Sequence, residues 1–187
     1  MIDIDYIDEF MGLYQQFPDD PYNSQLWKAI KMALKCSDEE AHYAAKRHCN
    51  SLSFYALCRA HKWIMFHYAT WIERLVANKS LHPEGWLYAD KRDIAKLFGF
   101  EEKFNELVYH KNYDQVMSGT DLDPDKGYNI KVYSNSNRMN IPGKGDHFMS
   151  GYKHNGLLYV SDSGKRGIRV PAKDVIPRDK FQWILEV

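Results

Sequence analysis

Residues 145–163, GDHFMSGYKHNGLLYVSDS, contain two short apolar runs joined by Asn155-Gly156. Short apolar runs on either side of a turn signal predict β-strands, and Asn-Gly favours a two-residue type I′ turn between them. In that register His154 pairs with Leu157, and a four-residue loop is the alternative. The stretch therefore predicts a β-hairpin.

His147 and Asp162 stand at the two ends of this hairpin. Because side chains alternate between the faces of a strand, both loop lengths place the two residues on one face, whereas a three-residue loop would separate them. A carboxylate beside an imidazole fixes its tautomer and stabilises the imidazolium, which is the orienting role in a catalytic triad. The alternative is a cross-strand pair that only satisfies hydrogen bonds.

The pattern before the hairpin is mainly helical. Asn23 or Ser24 can begin one helix, and Ser37 with Glu40 forms a capping-box pattern that begins another. Residues 49–76 predict a long helical segment broken once, and residues 89–97 predict a short helix that ends at Gly99. Phe104, Leu107 and Val108 fit a further helical turn.

The period changes after the Pro-containing linker at 121–127. Apolar residues alternate from Tyr128 to Val132, and residues 167–170 and 181–187 are further strand candidates. Helices followed by strands predict an α+β fold in a single domain. We expect helices over about 20–110, packed on an antiparallel sheet over about 127–187.

Composition narrows the class of protein. The 187 residues include 25 Lys plus Arg and 25 Asp plus Glu, so no basic excess indicates a nucleic-acid partner. No run approaches the roughly 18 apolar residues of a membrane span, and the acidic start lacks the features of a signal peptide. Three cysteines, an odd number, favour a reduced compartment. We expect a cytoplasmic protein without a membrane partner.

Each of the three cysteines has a different setting in the pattern. Cys49 lies where a helical pattern begins, and the helix dipole with its free N–H groups lowers the pKa of a thiol and can stabilise an oxyanion. Cys36 precedes another helix start and is the rival nucleophile. Cys58 lies inside the helix and is typical of core filling, the usual role of a free cysteine.

A cysteine that begins the first long helix, a histidine that begins a strand and an aspartate that closes the next strand resemble the papain-like cysteine peptidases. The most similar branch is the bacteriocin-processing, or double-glycine, peptidase-like group. The matching pieces are Cys49 with NSLSFYAL, His147 with FMSGY and Asp162 at the end of LLYVSD. The segment at 81–100 matches the short helix between nucleophile and histidine, so the resemblance covers about 46–163.

The resemblance implies a papain-like fold and a thiol hydrolase that acts on a peptide or amide substrate without a cofactor. Cys49 would be the nucleophile, His147 the base and then the acid, and Asp162 the residue that orients His147. The family usually carries a glutamine six residues before the cysteine, which contributes to the oxyanion hole. Tyr43 occupies that position here, and it or His42 could donate the hydrogen bond.

Two other functions stay open. The missing glutamine fits a catalytically inactive papain-like protein that binds or regulates a partner. A nucleic-acid or phage-type structural protein is a third option, disfavoured by the absence of a basic patch.

Three motif-like patterns lack the residues that their chemistry needs. His42, His48 and Cys49 do not have the spacing of a zinc site. The aspartates at 121, 123 and 125 imitate a calcium loop, but Lys126 and Val132 replace the required glycine and glutamate. The segment IPGKGD at 141–146 precedes a strand and is too short for a phosphate loop. We therefore expect no metal.

Overall fold

The computed structural model describes residues 1–18, 24–104, 106–133 and 146–187, which form a mixed α/β protein. A mainly helical N-terminal part precedes most of an antiparallel sheet. Within these residues the α-helices are α1 (Ile4–Leu13), α2 (Gln25–Leu34), α3 (Asp38–Ala45), α4 (Cys49–Ala60), α5 (Tyr68–Ala77), α6 (Lys91–Phe98), α7 (Tyr113–Ser118) and α8 (Ala172–Val175). The strands are β1 (Tyr109–His110), β2 (Gly127–Tyr133), β3 (Asp146–His154), β4 (Leu157–Ser161), β5 (Val170–Pro171) and β6 (Phe181–Glu186). No helix among these residues is long and apolar enough to cross a membrane.

Local capping signals place the helix ends. Ser24 is the N-cap of α2, and the capping box predicted at Ser37 is present, with Glu40 bonding back to the Ser37 backbone. The predicted break between 49 and 76 separates α4 from α5. Gly99 ends α6 in the left-handed conformation that a residue without a Cβ adopts at little cost. These helix predictions are confirmed.

The six strands form one sheet in the order β1-β6-β2-β3-β4-β5, with every pair antiparallel. The hairpin of β3 and β4 has the predicted two-residue turn, because His154 pairs with Leu157 and both Asn155 and Gly156 have positive φ. The α+β class with an antiparallel sheet is therefore confirmed. Its papain-like character stays a prediction.

Helix α4 is the element on which the helical layer and the sheet meet. It is buried on nearly all sides, which explains its weak amphipathic pattern. Ser53 of α4 accepts a hydrogen bond of 2.7 Å from Asn129 of β2, and the Ser150 hydroxyl of β3 donates to the Ser53 carbonyl at 3.3 Å. These bonds fix how the helix lies on β2 and β3.

The other face of the sheet has its own apolar core. Ile130, Met149 and Ile184 alternate with the helix-facing residues and pack against α7 and α8 through Val116 and Ala172. The central strand β2 is thus covered on both faces, although its alternating pattern is typical of a strand with one solvated face.

Some elements differ from the sequence predictions. Helix α1 lies in the first 22 residues, to which the sequence assigned no role. The helical turn predicted near Leu107 and Val108 is wrong, because a 3₁₀ turn at Glu101–Phe104 ends before them and strand β1 follows. Of the strand predicted over 167–170, only Val170 lies in a strand, the two-residue β5, which is too short for a sequence period to reveal. The alternative cap Asn23 and most of the 141–146 motif lie outside the described residues.

Candidate active site

Cys49 is the first residue of α4 and is 8% exposed. The first turn of a helix carries backbone N–H groups without helical acceptors, and these face the same end as the Cys49 side chain. Such N–H groups favour negative charge, either on a thiolate or on an oxygen that forms beside it. The position predicted for Cys49 at a helix start is confirmed.

His147 and Asp162 form a direct contact at the ends of the hairpin. His147 is the second residue of β3, Asp162 directly follows β4, and the His147 Nε2 atom lies 2.7 Å from Asp162 Oδ1. The Asp162 side chain is 1% exposed and also accepts the backbone N–H groups of Gly164 at 2.8 Å and Arg166 at 3.2 Å. The carboxylate is therefore held by the loop that follows β4 as well as by the ring.

His147 also interacts with Cys49. Burial acts to lower the pKa of His147, but the charge and hydrogen bond of Asp162, together with the hydrogen bond and charge of Cys49, raise it to about 10. Because Asp162 engages Nε2, Nδ1 is the ring nitrogen left for the thiol. The structure thus brings Cys49, His147 and Asp162 together from three separate segments of the chain.

The pKa of the Asp162 carboxyl shifts in the opposite direction to that of His147. Burial acts to raise its pKa, but the His147 charge, the His147 hydrogen bond and the two backbone N–H groups lower it below its usual value. Imidazolium and carboxylate therefore stabilise each other as an ion pair.

The other two cysteines lack these features. Cys58 is fully buried, and burial raises the pKa of its thiol well above the usual value. Cys36 is part-buried before α3, and burial raises the pKa of that thiol as well. These settings disfavour Cys36 as the rival nucleophile and fit the core role predicted for Cys58.

The structure does not bring Tyr43 to the other three residues. The Tyr43 side chain is 46% exposed, and the Arg47 guanidinium lies 3.5 Å from the centre of its ring. Tyr43 lies on α3, which ends at Ala45, and a turn then separates it from the start of α4. A spacing of six residues across a helix end and a turn does not aim the ring at Cys49, so the oxyanion role predicted for Tyr43 gains no support.

His48, immediately before Cys49, has a structural setting. Its Nδ1 lies 2.9 Å from the Tyr68 hydroxyl, which donates to Ser51, and the Trp71 indole donates to the same Ser51 hydroxyl. A Cβ at Gly85 would lie 2.7 Å from the ring, so only glycine lets that loop pack here. Burial lowers the pKa of His48 to about 3, which keeps it neutral.

Among the residues that the structure describes, no group of three or more His, Cys, Asp or Glu side chains could hold a metal ion. In the calcium-like loop the Asp123 carboxylate accepts the Asp125 backbone N–H at 2.8 Å, which is a turn contact.

Lys91 lies close to Cys49, and the sequence analysis did not identify it. Its ammonium donates to the Asn50 side chain at 2.6 Å and lies 4.7 Å from the centre of the Phe54 ring. Lys91 is 7% exposed, and burial lowers its pKa to about 7 against the opposing charges of Cys58, Asp90 and Cys49. A lysine at a helix start is normally solvated, so no sequence signal indicated this burial.

A row of three side chains crosses the sheet near the start of α4. Lys131 pairs with Phe148 and Trp183 on the neighbouring strands, and its ammonium lies 5.9 and 5.8 Å from the centres of their rings. Lys131 and Phe148 lie two residues from Asn129 and Ser150, the contacts of Ser53 one turn after Cys49. The row therefore lies on the helix-facing side of the sheet, level with the beginning of α4.

Comparisons of the chain with protein-family models, with curated proteins and with solved structures find no match.

Proposed function

We propose that this chain is a thiol hydrolase with a papain-like arrangement, which cleaves a peptide or amide bond through Cys49, His147 and Asp162. The observation that carries the proposal is that His147 bonds to a buried carboxylate and lies near enough to a thiol at a helix start for that thiol to raise the pKa of its ring. Three cysteines without a disulfide agree with a reducing, cytoplasmic setting.

In the first step the Cys49 thiolate attacks the carbonyl carbon, and the carbonyl electrons move to its oxygen. The N–H groups at the start of α4 stabilise this oxyanion. The His147 imidazolium gives its proton to the leaving nitrogen as the C–N bond breaks, which leaves a thioester on Cys49. Asp162 stabilises the imidazolium before this transfer and holds the ring afterwards.

In the second step a water molecule attacks the thioester carbonyl, and His147 accepts the proton of that water. The C–S bond then breaks, which releases the carboxylic acid and restores the thiolate beside the imidazolium. The row of Phe148, Lys131 and Trp183 is where the substrate chain would lie, because the row begins next to His147 and is level with Cys49.

The test compares Cys49→Ala with the matched variant Cys58→Ala, using iodoacetamide at pH 6 and intact-mass measurement. An ordinary thiol with a pKa of about 8.5 is almost wholly protonated at this pH and reacts slowly. We expect rapid single labelling of the wild type and of Cys58→Ala, and loss of that labelling in Cys49→Ala. Equal labelling of the variants would contradict the proposal.

A second candidate is a papain-like protein that binds a partner without catalysis, and the exposed position of Tyr43 favours it. The same experiment separates the two functions. A Cys49 that reacts at pH 6 no faster than a free thiol supports the binding protein. Turnover of a fluorogenic peptide mixture, lost in Cys49→Ala and kept in Cys58→Ala, supports the hydrolase.

A further inference from the structure

Gln16 is a buried glutamine that connects two distant parts of the chain. It is 1% exposed, and its Nε2 donates to the Ala45 carbonyl at 3.1 Å. Its Oε1 accepts the Ser163 hydroxyl at 3.2 Å, and its backbone N–H donates to the Ser163 carbonyl at 2.8 Å. Both ends of the side-chain amide are thus used, one on each segment.

Each of these two segments presents one of the proposed catalytic groups. Ala45 is the last residue of α3, and its carbonyl also accepts the His48 N–H at 3.3 Å in the turn just before Cys49. Ser163 directly follows Asp162. Gln16 therefore links the turn before the nucleophile to the loop that carries the carboxylate.

Helix α1, which precedes Gln16, is itself bonded to the β3–β4 hairpin. The Asp8 carboxylate of α1 accepts the Tyr152 hydroxyl of β3 at 2.8 Å and also contacts the Ser161 hydroxyl of β4. Helix α1 is thereby fastened to the same hairpin that carries His147. Gln16 thus follows a helix that is already bonded to the hairpin, and its side chain bonds to the turn before Cys49.

We propose that Gln16 is a positioning residue, which holds the Cys49 turn and the Asp162 loop at the separation at which His147 contacts both. This inference rests on the proposed function. Gln16 acts through the two segments that it joins, and its side-chain amide is already used by Ala45 and Ser163. Misplacement of reacting groups by about 1 Å can cost on the order of a hundredfold in rate.

The adjacent Gln15 provides a matched control. Its side chain donates to the Met11 carbonyl at 3.0 Å and so bonds within its own segment. The test compares Gln16→Met with Gln15→Met, because methionine keeps the length of the side chain and removes its polar atoms. The readout is the ratio of the iodoacetamide rate constants of Cys49 at pH 6 and pH 9.5, with thermal unfolding measured in parallel.

The ratio separates positioning from simple structural support. A Cys49 thiolate stabilised by His147 reacts at both pH values, whereas an uncoupled thiol reacts mainly at pH 9.5. We expect the ratio to fall on the order of tenfold in Gln16→Met and to stay within twofold of the wild type in Gln15→Met. If Gln16 only supports the fold, Gln16→Met lowers the unfolding temperature without changing the ratio of the two rate constants.

Ser163→Ala is the second variant, for use if Gln16→Met fails to fold. It removes only the hydroxyl bond to Oε1, and we expect a smaller fall of the ratio, by about threefold. A wild-type ratio in a folded Gln16→Met, or in Ser163→Ala if that is the variant that folds, overturns the inference. A wild-type protein whose own ratio is that of a free thiol overturns the proposed function instead.

Discussion

Two histidines flank Cys49, a buried one before it in sequence and a part-buried one across from it in space, and their partners differ. His48 is fully buried and meets the neutral hydroxyl of Tyr68, while its Nε2 has no hydrogen-bond partner among the described residues. His147 has a side chain 15% exposed and meets the carboxylate of Asp162. The pKa is lowered to about 3 in His48 and raised to about 10 in His147.

The difference shows what decides the charge of a buried imidazole in this protein. Burial acts to lower the pKa in both cases, because a low-dielectric setting disfavours the charged form. Only His147 has an ionised carboxylate at hydrogen-bond distance, and this carboxylate together with Cys49 reverses the direction of the pKa shift. His48 is thus suited to hold the start of α4 in place, and His147 is suited to carry a proton.

Removing the carboxylate should have the largest effect on this comparison. We expect Asp162→Asn to destabilise the protein by about 3–5 kcal/mol, because it removes the buried carboxylate that pairs with the His147 imidazolium. The pKa of His147, followed by NMR titration of its ring, should fall, because only the hydrogen bond and charge of Cys49 then oppose the effect of burial. Urea unfolding at pH 6.5 measures the stability change.

Asp146→Asn is the matched control on the same hairpin. Asp146 pairs with Lys131 at 2.8 Å, but its side chain is 38% exposed. A pair in contact with solvent contributes about 0–1 kcal/mol, and we expect a loss in that range. Equal losses in Asp146→Asn and Asp162→Asn would mean that burial of the His147–Asp162 pair has no special role.

The second-largest expected effect is on how the free energy of unfolding depends on pH. His147 and His48 change it in opposite directions. The folded pKa of His147 is raised, so its contribution is complete below the unfolded pKa of about 6.5 and is lost as pH rises towards 10. The folded pKa of His48 is lowered, so the folded state is fully stable above about 6.5 and loses stability as pH falls towards 3. Each histidine can contribute a slope of at most about 1.4 kcal/mol per pH unit.

The two slopes can be separated by substitution. We expect His147→Gln to flatten the stability curve between pH 6.5 and 10, and His48→Gln to flatten it between pH 6.5 and 3. Urea unfolding free energies across both ranges provide the measurement. A wild-type curve with no decline above pH 6.5, or one unchanged in His147→Gln, would show that His147 is not charged in the folded protein.

The local parts of this site could be predicted from the sequence. The apolar runs on either side of Asn155-Gly156 predicted the hairpin, and either of its two allowed loops placed His147 and Asp162 on one face. The helical pattern that begins at Cys49 placed the thiol at a helix start. Periodicity and turn chemistry act over a few residues, which is why they sufficed here.

The long-range parts could not be predicted. Gln16 lies 29 residues from Ala45 and 147 from Ser163, and no local pattern records which buried partners it finds. Burial of Lys91 depends on how α6 packs against α4, which the pattern of α6 alone does not contain. The role of Tyr43 was inferred from a family resemblance, by its spacing from Cys49. Because a turn separates α3 from α4, that spacing does not direct the Tyr43 ring at Cys49.

The smallest expected effect concerns Tyr43 itself. We expect Tyr43→Phe to leave the rate of Cys49 labelling within twofold of the wild type and stability within about 0.5 kcal/mol, because the hydroxyl belongs to a half-exposed side chain. Iodoacetamide kinetics at pH 6 and urea unfolding measure the two quantities. If hydrolysis of a peptide substrate drops by more than tenfold while labelling is unchanged, the hydroxyl acts on the oxyanion after all. In that case α3 must turn towards Cys49 when substrate binds, because in the structure the Arg47 guanidinium covers the ring.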